Sequence, residues 1–141
     1  MVQDQRVENK TLKVILVVED DEAIGEVMKM TLSEEPQFYT LLATTPHEAL
    51  NLAHSIQVDM LIIDYLLREM TGIELYDRLH AMKDLSHVPT IITSASLGQR
   101  TEELEERHLL GLEKPFDIDT LMNTINQLLS DTPHGRKPSS F

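Results

Sequence analysis

Asp64 closes the apolar run Met60-Leu61-Ile62-Ile63. A carboxylate is costly to place in apolar surroundings unless something pairs with it. An aspartate at the end of a buried strand therefore points to a site rather than to packing. Three further apolar runs end in reactive groups. Val14-Ile15-Leu16-Val17-Val18 runs into Glu19-Asp20-Asp21, Thr90-Ile91-Ile92 into Thr93-Ser94, and Leu109-Leu110-Gly111-Leu112-Glu113 into Lys114-Pro115. In an open α/β sheet, ligands bind outside the carboxyl ends of the strands, so these four endings can share one pocket. Carboxylates brought together there repel: two charges ~4 Å apart cost about 4 kcal/mol at an effective dielectric of ~20. Either a proton is shared or a cation sits among them, and an all-oxygen carboxylate set suits Mg²⁺ or Mn²⁺. Lys114 adds a point charge suited to a phosphoryl oxygen, and Ser94 adds a hydroxyl donor. The set supplies what phosphoryl transfer needs, in-line positioning and neutralised oxygens. Asp64, the central carboxylate, is then the nucleophile that forms an aspartyl phosphate.

The elements that would position these groups alternate between strand and helix. Residues 12–18 are continuously apolar, as a strand buried on both faces must be. Ile24, Val27, Met28, Thr31 and Leu32 recur at helical spacing over 21–34, and Pro36 stops that helix. A second strand covers 38–43. Thr45-Pro46-His47-Glu48 reads as a capping box with Pro at the first helical position, opening a helix to about residue 55. The third strand covers 59–63. Gly72 precedes a helix with Leu75, Leu79 and Met82 on one face. The fourth strand covers 88–93, with Pro89 near its start, where a missing N–H is tolerated. A polar helix is expected over 97–108 and a fifth strand over 109–113. Asp117 caps a last helix whose stripe is Ile118, Leu121, Met122, Ile125 and Leu128. Five βα units imply a doubly wound, five-stranded parallel sheet of order 2-1-3-4-5, the flavodoxin-like α/β fold. Strands 1 and 3, which carry Glu19-Asp20 and Asp64, then sit side by side at its centre. Residues 1–11 read as a flexible segment, 12–130 as the domain, and 131–141 as a disordered tail.

Composition excludes several classes. A chain of 141 residues suits one domain. It contains no Cys, so disulfides, thiol nucleophiles and thiolate metal sites are out. Its apolar runs fall far short of the roughly 20 residues that span a bilayer, and no signal-type segment opens it; a cytoplasmic location is expected. The net charge of −12 opposes a non-specific grip on nucleic acid or on an anionic membrane. The six His show no metal-ligand spacing. The methionines read as core, and Glu102, Glu103, Glu105 and Glu106 as a solvated helix face.

Over residues 12–130 the chain resembles the receiver domain of two-component response regulators. Glu19-Asp20 matches the acidic pair after strand 1, Asp64 the phosphoacceptor, and Gly72 the loop glycine eight residues on. Pro89-Thr90-Ile91-Ile92-Thr93-Ser94-Ala95 matches the strand-4 segment, with Ser94 as the switch hydroxyl. Lys114-Pro115-Phe116 matches the lysine and its following proline, a peptide bond often cis in the family. The resemblance implies Mg²⁺ bound by Asp20, Asp64 and the backbone carbonyl of Leu66, with Glu19 acting through a water. It implies a sensor histidine kinase or histidine phosphotransfer protein as donor, and a downstream protein, not DNA, as the direct partner. The domain would assist its own phosphorylation and dephosphorylation without being an enzyme for another substrate. No segment after residue 130 is long enough for an output domain, so the chain reads as stand-alone. Three departures from the pattern stand out. Arg68 stands where proline is frequent, which should loosen that loop. Arg107-His108-Leu109 replaces the usual Gly-Ala-Asp. Gly111 stands where an aromatic or His often rotates on phosphorylation.

Rival readings are weaker. A haloacid-dehalogenase-type phosphatase needs a second carboxylate two residues after the nucleophile, where this chain has Leu66. The alternative of a pseudo-receiver, a binding module that is never phosphorylated, is opposed by the intact set Glu19, Asp20, Asp64, Ser94 and Lys114. A flavodoxin-like flavin binder needs a phosphate loop after strand 1, where this chain places acids.

Overall fold

The computed structural model describes residues 12–82 and 85–130. The expected flexible start and disordered tail fall outside the described residues. The elements, in chain order, are β1 (Lys13–Val18), α1 (Glu22–Ser33), β2 (Phe38–Ala43), α2 (Pro46–Ser55), β3 (Met60–Asp64), α3 (Gly72–His80), β4 (Thr90–Ser94), a 3₁₀ turn (Leu97–Arg100), α4 (Thr101–Glu106), β5 (Leu110–Glu113) and α5 (Ile118–Ser130). All pairings are parallel and the order is β2-β1-β3-β4-β5, which is the doubly wound order that the sequence implies.

The alternation of side chains along each strand sorts two cores. Ile15, Val17 and Ile62 face α1 and α5, meeting Met28, Leu32, Leu121 and Ile125. Leu16, Val18, Leu61 and Ile63 face the other way, onto Ala49, Leu75, Leu79 and Leu104. Covering both faces explains why β1 is apolar over residues 14–18 and β3 over residues 60–63. Leu75, Leu79 and Leu121 are fully buried, and truncating such a side chain to Ala costs about 2–5 kcal/mol.

Local signals set the helix starts. Asp21 accepts from the Ile24 amide at 3.1 Å and Asp117 from the Thr120 amide at 2.8 Å. At α2 only half of the expected box forms. Thr45 accepts from the Glu48 amide, but the Glu48 carboxylate takes the amide of Thr44, one residue too early. The reciprocal box stands instead at α3, between Thr71 and Glu74.

Other expectations need correction. Ile24, Val27 and Ile118 share helical periodicity with core residues, yet are 42%, 59% and 44% exposed. Met30 is exposed too, because it lies on the outer side of α1. The expected helix over 97–108 is a 3₁₀ turn followed by six residues of α4, in which Leu104 alone is buried. One apolar anchor cannot hold a long helix against the sheet. The corner into β5 falls on His108, in the left-handed region at φ 56. The neighbouring Arg107 clamps it by bonding Asp77 through Nε and Nη2, at 2.8 and 2.9 Å.

Candidate functional site

The parallel register brings the reactive groups together. Val18 pairs with Ile63, so the residues that follow β1 leave the sheet beside Asp64. The Glu19 amide donates to the Ala43 carbonyl and keeps the chain in line for one more residue. Glu19 Oε2 then accepts from the Asp21 amide at 3.2 Å. On the other side, Ser94 pairs with Glu113, and the Lys114 amide donates to the Ser94 carbonyl. That extension delivers Lys114 to the mouth of the site, where its peptide bond to Pro115 is cis.

Lys114 Nζ lies 2.9 Å from Asp64 Oδ1 and 3.2 Å from Glu19 Oε1. Glu19 and Asp64 are 2% and 6% exposed. One oxygen from each of Glu19, Asp20 and Asp64 lies within 4.8 Å of the others. Burial and the neighbouring Asp64 raise the Glu19 carboxyl above its usual range, and the attraction of Lys114 does not offset them. Lys114 is also raised: burial alone would lower it, but Asp64 and Glu19 outweigh burial. The raised Lys114 reports the two carboxylates beside it, and the raised Glu19 reports burial first and Asp64 second. Such a trio of oxygens fits a small hard cation that keeps several waters.

Ser94 is buried in the same corner, but its Oγ accepts from the Ser96 amide at 3.0 Å and is turned into its own loop. The hydroxyl that touches Asp64 belongs to Thr93, whose Oγ1 donates to Asp64 Oδ1 at 3.2 Å. Sequence reasoning passed over Thr93. Counting the β3–β4 register would have found it, since Asp64 and Thr93 are direct partners. Leu66 is exposed on the following loop, which an isolated bridge to Thr71 ties back. Gly72 is required there because a Cβ would collide with the Asp64 carbonyl. Arg68 swings over the site, with Nε 3.7 Å from Asp20 Oδ2 while 81% exposed.

Beside Lys114 opens an apolar groove lined by Ile24, Val27, Met28, Phe116 and Ile118, where the exposed Ile24, Val27 and Ile118 lie. On the far side, a Cβ on Gly111 would sit 2.5 Å from Leu97 Cδ1 and 2.9 Å from Leu104 Cδ1. Those two leucines occupy the space an aromatic would take. Tyr65, next to Asp64, is buried there; its hydroxyl donates to Glu103 and the Arg100 guanidinium covers its ring at 4.0 Å. Glu103 is therefore not simply solvated.

Comparison with known proteins shows the family and the fold. The chain is 30% identical over 120 residues to a probable transcriptional regulator, ycf29, of Pyropia yezoensis, spanning 82% of this chain and 53% of that one. The chain spans about half the length of the curated relatives it matches. Among solved structures, the Francisella response regulator 1452 receiver domain shares 31% identity at a TM-score of 0.74, covering 85% of this chain and 98% of that one. The response regulator TrrA of Thermotoga maritima, in complex with Mg²⁺ and BeF, shares 25% at 0.72, covering 83% and 99%. The response regulator receiver domain family matches residues 15–126, and this chain belongs to it.

Proposed function

We propose that this chain accepts a phosphoryl group on Asp64 from the phosphohistidine of a sensor histidine kinase or a histidine phosphotransfer protein. The observation that carries this reading is a buried carboxylate at the end of a central strand, held by Lys114 at 2.9 Å and flanked by two more acids. Asp20, Asp64 and the Leu66 carbonyl would hold Mg²⁺, with Glu19 acting through a water; Mn²⁺ suits the same donors. Bound there, the ion would supply positive charge that offsets the repulsion between the carboxylates and an incoming phosphoryl group. Asp64 attacks phosphorus, the bond to the donor imidazole breaks, and its electron pair stays on the ring nitrogen, which takes a proton. Lys114 is within reach of the incoming oxygens, and Ser94 can turn its hydroxyl toward them by a χ1 change. The groove beside Lys114 offers apolar surface on which a donor helix can rest while its histidine reaches Asp64.

The signal would leave by protein–protein contact over α4, β5 and α5. The charge of −12 supports that route over direct DNA binding. No helix among the described residues is long and apolar enough to cross a membrane, which fits a cytoplasmic role. With acetyl phosphate and Mg²⁺, the protein should gain one base-labile phosphoryl group. Asp64→Asn should abolish it, and an adduct of equal yield on that variant would refute the assignment.

A further inference from the structure

Asp64 Oδ1 receives two donors, Lys114 Nζ at 2.9 Å and Thr93 Oγ1 at 3.2 Å. Among the described residues, no hydrogen-bond donor reaches Oδ2, so Oδ2 is the oxygen left to attack phosphorus. The two donors on Oδ1 differ in freedom. Lys114 is long, already shared with Glu19, and drawn to any phosphoryl oxygen that arrives. Thr93 is β-branched and stiff at χ1. It is 2% exposed and paired in register with Asp64 itself. It stays on Oδ1 when Lys114 moves.

We infer that Thr93 sets the lifetime of the phosphorylated protein by donating to the Asp64 oxygen that recovers charge when the acyl phosphate breaks. The inference rests on Asp64 being the phosphoacceptor. In the aspartyl phosphate the phosphoryl group is on Oδ2, and Oδ1 is the carbonyl oxygen. In hydrolysis a water oxygen attacks phosphorus and gives its proton to solvent. The bond between phosphorus and Oδ2 breaks, and its electron pair spreads over both carboxylate oxygens. A hydrogen bond to a carboxylate is about twice as strong as one to a neutral carbonyl. Thr93 therefore binds the transition state better than the ground state, which is the condition for acceleration. The effect falls below the roughly hundredfold of a full oxyanion-hole donor, because Lys114 and carboxylate resonance share the charge.

The test uses the full chain, phosphorylated with acetyl phosphate and Mg²⁺ and then freed of donor, with decay followed by intact mass. Thr93→Val and Thr93→Ala both lack the hydroxyl, so a folding failure in one leaves the other. Each should decay about tenfold more slowly than the parent, a loss of one charge-assisted hydrogen bond. Thr93→Ser should restore the parental rate. Both hydroxyl-free variants should melt lower than the parent, Thr93→Ala lower than Thr93→Val because it also leaves a cavity, yet the two should decay at the same slowed rate, a split between stability and lifetime that a purely structural role would not give. Parental decay in the Val and Ala variants, or slow decay in the Ser variant, would overturn the inference. Absence of any adduct on the parent chain would instead strike down the phosphoacceptor reading, and this inference with it.

Discussion

Asp20→Asn should make the metal-free protein more stable and shrink the stabilisation that Mg²⁺ gives. Asp20 offers an oxygen within 4.8 Å of one from each of Glu19 and Asp64. At an effective dielectric of ~20, each such pair of charges costs about 3.5 kcal/mol. Its only cationic partner among the described residues is Arg68 at 3.7 Å, which is 81% exposed and returns at most about 1 kcal/mol. Lys114 is engaged by Glu19 and Asp64. Asp20 is 22% exposed, so solvent screens much of the repulsion, and the net relief is about 1–3 kcal/mol. For a domain of roughly 120 residues that corresponds to a Tm rise of about 4–12 °C. Mg²⁺ acts in the opposite sense, since it binds the fold and not the unfolded chain. At a hundred times its Kd it stabilises the parent by about 2.7 kcal/mol, and the variant, lacking one ligand charge, gains much less. The lead of the variant over the parent in chelator should therefore shrink in millimolar Mg²⁺ when both proteins are followed by circular dichroism. A variant that melts below the parent in chelator, or that keeps the full Mg²⁺ shift, would refute this account of the site.

The raised Glu19 carboxyl predicts the pH response of the metal-free protein. Between the unfolded value of 4.5 and the higher folded value, the native state binds more protons than the unfolded chain, so stability falls as pH rises through that window. Urea midpoints measured from pH 5 upward in chelator should fall accordingly, with the fall reduced in Glu19→Gln; an equal slope in both would contradict the assignment. Gly111→Ala should push Leu97 and Leu104 aside, at about 1–3 kcal/mol of overpacking against about 0.4–1 kcal/mol gained in chain entropy. A net loss near 1 kcal/mol in urea unfolding, with faster amide exchange concentrated over residues 97–106, is expected; an unchanged midpoint would show that the turn accommodates the methyl freely.

The site was legible in the sequence because its signals are local and chemical. A charge at the end of an apolar run is visible without a structure, and the βα count puts Asp64 next to Glu19 and Asp20. What failed was whatever depends on the partner of a face. The spacing of Ile24, Val27 and Ile118 marks an apolar side of a helix but not what covers it, and here a groove beside Lys114 leaves them open. Thr93 was missed for a related reason. Its neighbour Ser94 carries the resemblance, whereas Thr93 reaches Asp64 only through the register of two strands nearly thirty residues apart. The polar stretch over 97–108 read as one helix because its Glu residues favour helix, yet propensity without an apolar stripe gives only α4's six residues.

Gly111 shows why a departure from a family pattern has to be judged by packing. Taken alone, a glycine three residues before Lys114 removes the side chain that often rotates there and leaves a weak point in an edge strand. In the fold no hole results, because Leu97 and Leu104 descend from the 3₁₀ turn and α4 into that space. Those two elements are held by another aromatic. Tyr65 donates to Glu103 at 3.1 Å and lies under Arg100 at 4.0 Å, each contact worth about 1 kcal/mol when partly buried. Burial pushes the Tyr65 hydroxyl up, and Glu103 pushes it further, so it remains a hydrogen-bond donor throughout the neutral range. Because Tyr65 is covalently joined to Asp64, its contacts to Glu103 and Arg100 tie the segment over residues 97–106 to the end of β3, while Leu97 and Leu104 of the same segment pack on Gly111 of β5.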